Sequence, residues 1–398
     1  MAPARSKMPG GECRVKQAKS LPRLRFPGEF VDSPCSEPVR FRRRRQEPRE
    51  HEQPVSQLER PFAVVLAGGV GSRFWPASRP ERPKQLLPLG TDHPLIVDAV
   101  ARAVALAGPE RVLVVLGTHL VDPVLEALPD LEPANLLVEP EARGTGPALA
   151  WAAHVIAERD PEGVMVSLHA DHVIEPLDEF LDTIARGVAA TGGGRLFCLG
   201  IEPDRPETGY GYVRLGDELA PGVFAASEFV EKPPPETARA YVDSGEYLWN
   251  SGIFIWRAAD LLAAIRTLAP EIPLERLETG EAAGFFEASA RVTIDVAVME
   301  RASRVGVVAA SFGWDDVGGW NALRRTWPTD RDGNIVFGPA DLIDSADNIV
   351  WSEHGSITLF GVHDLVVVRS GNHTFVATRE AAADMKRVFE ATDSPEEE

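Results

Sequence analysis

Hydrophobic residues along this chain fall into short, separated blocks, and the pattern changes abruptly at residue 62. Residues 62–67 form a continuous apolar run that stops at Gly68-Gly69, the length and ending of a strand buried on both faces. Residues 94–107 carry helical periodicity and end at Gly108, a natural helix stop. The next strand is expected at 111–117, then a helix over 146–159, a strand over 163–168, a helix over 177–190 and a strand over 195–201. Short apolar strands alternating with helices at this spacing predict βαβ units, hence an α/β, Rossmann-like domain on a mostly parallel sheet.

After Pro203 the pattern is mixed. Strands are expected at 210–215, 224–230, 252–257 and 304–311, and helices at 236–244, 258–268, 294–302 and 320–327. From 332 to 378 short β-branched stretches at 334–337, 348–351, 357–360, 365–369 and 374–378 are separated by turn residues. Their even spacing predicts a small all-β domain, either a short β-solenoid (β-helix-like) or a sandwich, followed by a closing helix over 381–391. Residues 1–58 are rich in Pro and Arg, include the Arg run 42–45 and lack periodicity, which reads as a disordered basic extension. The expected plan is therefore an extension over 1–58, a main domain over 59–330, a β domain with closing helix over 331–392 and an acidic tail over 393–398.

Composition narrows the function. A chain of 398 residues that is 44% hydrophobic can bury one large core and a smaller one. A net charge of -19 argues against wrapping nucleic acid, so any anion must be met in a local pocket of amides, cations and metal. No apolar run approaches the roughly 18 residues that span a membrane. The three cysteines, Cys13, Cys35 and Cys198, have no metal-ligand spacing, and a reducing, cytoplasmic setting is expected.

The densest chemistry lies in Leu66-Ala67-Gly68-Gly69-Val70-Gly71-Ser72-Arg73-Phe74-Trp75-Pro76. Glycines directly after a buried strand let the backbone approach a ligand and point consecutive amides at phosphate oxygens. The carboxyl end of such a strand is where open α/β sheets bind ligands. The spacing is neither the dinucleotide fingerprint nor a Walker A loop, and a glycine turn alone can be a tight turn and no more. Arg79, Arg82 and Lys84, held among prolines just downstream, make a cation cluster suited to a triphosphate or a pyrophosphate leaving group.

With Ser78-Arg79 and Pro83-Lys84-Gln85, this stretch resembles the signature of mannose-1-phosphate guanylyltransferases, members of the sugar-phosphate nucleotidylyltransferase family. The resemblance runs from about 62 to 389 and implies a nucleotide-diphospho-sugar transferase domain. It assigns Arg73, Lys84 and Lys232 to catalysis. It assigns Leu66, Ala67, Gly68, Gly69, Gly71 and Ser72, with Glu139, Gly144 and Thr145, to the nucleotide. Gly211, Glu231 and Asn250 are assigned to the sugar, and Asp171 and Asp316 to the metal. The family segment before the first acid usually reads Pro-Ala-Asp-His; here His169 takes the place of the proline. Spacing leaves open whether Asp315 or Asp316 is the second acid.

The implied reaction joins GTP and mannose 1-phosphate to give GDP-mannose and pyrophosphate, with Mg²⁺ or another divalent cation. A sugar phosphate with its second pKa near 6 is largely dianionic at neutral pH, so no base is required. Other sugar phosphates, such as heptose or glucose 1-phosphate, and a non-catalytic binding subunit of the same fold are the alternatives. The wrong glycine spacing weakens a dehydrogenase. The β segment is expected to pack on the main domain or to form a dimer contact in a homodimer. His354, His363 and His373 are scattered and read as surface or packing residues.

Overall fold

In the computed structural model, residues 60–69, 71–385 and 387–388 are described. The expected extension over 1–58 and the acidic tail over 393–398 lie outside the described residues, as does Val70 within the glycine turn.

The run at 62–66 is buried throughout because its two sets of side chains enter different cores. Phe62, Val64 and Leu66 pack with Leu149, Ile156 and Leu261, whereas Ala63 and Val65 pack with Ile96, Ala103 and Ile184. This is the period-two alternation of a strand with helices on both faces. Helices Thr145–Arg159 and Ala258–Leu268 supply the first face, and Leu95–Ala107 and Leu177–Ala190 the second.

Strands β1 (Phe62–Leu66), β2 (Val112–Gly117), β3 (Leu136–Glu139) and β4 (Val164–His169) form the parallel half of the main sheet. A separate pair joins β5 (Val173–Glu175) to β11 (Gly313–Asp315). The main sheet continues with β6 (Leu196–Ile201), β7 (Gly211–Ala220), β8 (Val223–Val230), β9 (Tyr247–Arg257) and β10 (Val305–Ala309). The order is β3-β2-β1-β4-β9-β6-β10-β8-β7. Strand β9 runs antiparallel to both β4 and β6, so the sheet is mixed and its parallel half carries the glycine turn. Among the described residues no helix is long and apolar enough to cross a membrane.

Three rungs, β12 (Ile335–Phe337), β14 (Ile349–Ser352) and β16 (Leu365–Ser370), stack in parallel. A second parallel pair, β13 (Ala340–Ile343) and β15 (Ile357–Phe360), completes a short β-helix, and β17 (His373–Thr378) closes it antiparallel to β16. Parallel pairing selects the solenoid over the sandwich. Buried Asn348 donates through Nδ2 to Asn334 Oδ1 at 3.0 Å, satisfying polar groups between rungs. Ile335, Ile349, Trp351 and Val366 share a core with Phe74, Val317 and Trp320, so the β-helix packs on the segments that flank the site.

Some expected elements differ. The strand expected at 252–257 begins earlier, at Tyr247, because polar Asn250 pairs across the sheet with Gly200 and Ser251 Oγ donates to the Leu199 carbonyl at 3.0 Å. The helix expected over 294–302 is a single π-helical turn, Asp295–Met299. Its start is held by the Ile294 amide, which donates to Thr145 Oγ at 3.0 Å. The helix expected over 320–327 is a 3-10 turn, Trp320–Ala322, followed by the short Leu323–Thr326. Of the closing helix at 381–391, the described part opens with the 3-10 turn Ala381–Asp384.

Candidate active site

The glycine turn leaves β1 where Leu66 pairs with His169 of β4, so the two segments emerge side by side at one rim. Gly71 sits at φ 67°, and a Cβ there would stand 2.3 Å from the Cβ of Lys84. Only glycine meets both conditions, and the close approach is what brings Lys84 against the turn. Ser78 Oγ donates to the Gly71 carbonyl at 2.7 Å, and Gln85 Nε2 donates to the Ala67 carbonyl at 2.9 Å. Gly68 and Gly69 are exposed, with open space where their side chains would be.

Lys84 is buried, and its ammonium donates to Asp171 Oδ2 at 2.8 Å and to the Asp316 carbonyl oxygen. These three residues, Gly71, Ser72 and Arg73 line one cavity of about 420 Å³. Burial alone would raise the Asp171 carboxyl, but the Lys84 ammonium, with His172 and His169, holds it well below the usual carboxylate range. Burial raises Asp316, against the hydrogen bond that its Oδ1 accepts from the Tyr210 hydroxyl at 2.5 Å. Arg73 is exposed at the mouth and reaches the Gly318 carbonyl at 3.5 Å.

The adjacent acid has a different task. Asp315 is ion-paired with Arg325, whose Nη2 lies 3.1 Å from Oδ1, and the same oxygen accepts from the Val317 amide at 2.7 Å. That bond secures a turn in which buried Val317 has φ 45°, a strained value for a β-branched residue. Asp315 thus shapes the turn, while Asp316 faces the cavity.

A neighbouring cavity of about 240 Å³ is lined by Leu66, Thr145, Gly211, Glu231, Lys232 and Asn250, with Asp295. His169, His172 and Asp316 line both cavities and form the wall between them. A Cβ on Gly211 would stand 2.6 Å from Glu231 Oε2, so the chain passes close to that carboxylate. Lys232, at φ 47°, pairs with Glu231. Asn250 Nδ2 donates to Asp295 Oδ1 at 2.7 Å, and burial, with Glu231 nearby, pushes the Asp295 carboxyl up to about 6. Gly144, at φ 87°, opens the helix that carries Thr145, and a Cβ on it would meet the Val292 carbonyl at 2.6 Å. Glu139 ends β3, two strands from β1, and burial pushes its carboxyl up to about 7.

The donor set suits a hard divalent cation: a carboxylate kept ionised, a second carboxylate on the same cavity, and room for phosphate oxygens. One ligand atom from each of His169, Asp171 and His172 also lies within 4.8 Å of the others.

A family model described as Nucleotidyl transferase matches residues 62–332, and one described as a MannoseP isomerase/GMP-like beta-helix domain matches residues 340–391. A mannose-1-phosphate guanylyltransferase of Escherichia coli (strain K12) is 37% identical over 351 residues, spanning 83% of this chain and 73% of its own. This chain belongs to the mannose-1-phosphate guanylyltransferase family. The alginate biosynthesis protein AlgA of Pseudomonas aeruginosa, 35% identical over 83% of this chain and 72% of its own, is another similar protein. A crystal structure from Thermus thermophilus, described as a mannose-1-phosphate geranyltransferase, superposes with a TM-score of 0.78 at 33% identity, over 84% of this chain and 100% of that one.

In this guanylyltransferase-family chain, three contacts at the site are not legible from the sequence. Tyr210 bonds Asp316, Asp295 bonds Asn250, and Trp314 donates through Nε1 to His172 Nδ1 at 3.1 Å. Asp295 carries one local signal, an acid at the head of the apolar stretch Val296-Ala297-Val298. Trp314 looks like a packing aromatic in sequence, and only the meeting of distant segments brings it to His172 and Tyr210 to Asp316.

Proposed function

We propose that this chain transfers GMP from GTP to α-D-mannose 1-phosphate, forming GDP-mannose and pyrophosphate. The observation that carries the reading is the convergence of the Gly71 turn, Lys84, Asp171 and Asp316 on one cavity that shares a wall with a polar, sugar-sized one. The names of the relatives support the choice of sugar and base.

In this reading a phosphate oxygen of the sugar phosphate attacks the α-phosphorus of GTP in line. The new P–O bond forms as the bond to the β-phosphate oxygen breaks, and pyrophosphate leaves with that electron pair. The attacking group is already an anion, so the chain's task is to position two polyanions and offset their charge. Amides from Gly68 to Gly71, with Ser72, Arg73 and Lys84, bind the triphosphate. Lys232 draws in the sugar phosphate, while Glu231, Asn250 and the backbone at Gly211 meet the hexose hydroxyls. Leu66, Ala67, Glu139, Gly144 and Thr145 frame the nucleoside, and Glu139 accepts from the guanine N1 and N2 hydrogens.

Asp171 and Asp316 would hold Mg²⁺ or a similar divalent cation, which supplies charge neutralisation to the phosphate oxygens when bound. We assign transfer to residues 59–330 and support of the site to the β domain over 331–392. A cytoplasmic setting and a homodimer belong to the same reading. The test is product identification by mass spectrometry after incubation with GTP and mannose 1-phosphate, with and without Mg²⁺. Cation-dependent GDP-mannose is the expected product; its absence, or preference for another sugar phosphate or base, overturns the assignment.

A further inference from the structure

Asp171 presents two different faces. Oδ2 accepts from the Lys84 ammonium at 2.8 Å, so that side already carries a positive charge. Oδ1 points to the histidines, 4.0 Å from His172 Nε2. The two imidazoles stack, with centroids 4.6 Å apart and planes inclined at 27°. A cation approaching Asp171 is repelled by the ammonium on the lysine side, which leaves the imidazole side as the approach.

The two histidines are not equivalent. His172 Nδ1 accepts the Trp314 indole N–H, so in its neutral form the proton sits on Nε2, which leaves no lone pair for a metal. His169 Nε2 faces Gly252, where a Cβ would lie 2.8 Å from it. A ring nitrogen of His169 lies within 4.8 Å of a carboxylate oxygen of Asp171, close enough for one ion to meet both. Gly252, at φ 73°, is therefore the close approach that orients His169.

We propose that His169 and Asp171 form a mixed nitrogen–oxygen site for a divalent transition metal, with His169 as the ligand that favours Co²⁺- or Zn²⁺-type ions over Mg²⁺. Imidazole nitrogen suits borderline metals, whereas Mg²⁺ prefers oxygen alone. His172, whose Nε2 lies 4.0 Å from Asp171 Oδ1, is a positioning residue beside that oxygen. The inference rests on the guanylyltransferase reading only in taking Asp171 as a cation ligand.

Co²⁺ binding to the full chain tests it, read by calorimetry and by proton NMR. The Co²⁺-loaded protein should show a paramagnetically shifted, exchangeable imidazole N–H resonance. The resonance should vanish in His169→Phe and persist in His172→Phe. The Co²⁺-to-Mg²⁺ affinity ratio should fall about tenfold or more in His169→Phe. Failure of Co²⁺ to bind the unmutated protein, bound Co²⁺ without that resonance, or its survival in His169→Phe would each overturn the proposal. GDP-mannose formation with Mg²⁺ by the same preparation is scored separately. Product without the resonance defeats the histidine ligand alone, and the resonance without product defeats the guanylyltransferase reading alone.

Discussion

Asn250 donates to Asp295 across the floor of the sugar-side cavity at 2.7 Å, joining a residue of strand β9 to the π-helical turn that follows a distant loop. The pair fixes a buried carboxylate beside Glu231 at the cost of ionising it in a desolvated place. Its folded value of about 6 lies above the ordinary 3.8, so its contribution to stability is complete below 3.8 and is lost as pH rises through 6. Asp295→Asn keeps an acceptor for Asn250 and removes the charge. The variant should gain about 3 kcal/mol over the unmutated protein above pH 6, and nothing near pH 3.8, in denaturant titrations. In turnover assays it should raise KM for the sugar phosphate more than it lowers kcat.

Lys84→Met removes the ammonium shared by Asp171 and the Asp316 carbonyl while keeping much of the buried stem. Turnover should fall by about 10²–10³ or more, the scale of losing one charge-stabilising donor. Near-normal turnover in a variant with an unchanged circular-dichroism spectrum removes Lys84 from the chemistry.

The two neighbouring acids should separate cleanly. Asp315→Asn keeps an acceptor for the Val317 amide but loses the charge pair with Arg325 that braces the turn, so it should lower the unfolding temperature more than Asp316→Asn does. Asp316→Asn should instead reduce turnover by orders of magnitude with a small change in melting. Equal effects of both substitutions on turnover would show that the turn, not one carboxylate, is what matters.

Glu139 should impose a pH dependence on nucleotide binding. Its carboxyl, raised by burial to about 7, accepts hydrogen bonds from guanine best when ionised. KM for GTP should therefore fall as pH rises through 7, and Glu139→Gln should flatten that profile and reduce the preference for GTP over ATP. Steady-state kinetics between pH 6 and 8.5 measure this; an unchanged profile in the variant dismisses Glu139 as the base reader.

Local sequence was enough for the strands that bury both faces and for the glycine turn, because continuous apolar runs and glycine after a strand have few other physical uses. It also named Lys84, Asp171 and Asp316, which adjoin one cavity, but it could not choose between Asp315 and Asp316. The two acids part company through Arg325, which pairs with Asp315, and Tyr210, which bonds Asp316. The Asp295–Asn250 and Tyr210–Asp316 bonds, and the Trp314 bond that sets His172 apart from His169, likewise came only from the tertiary structure. Periodicity records which way a side chain faces along its own element, whereas the meeting of β4, β9 and the turn after β11 at one rim is set by how distant segments pack.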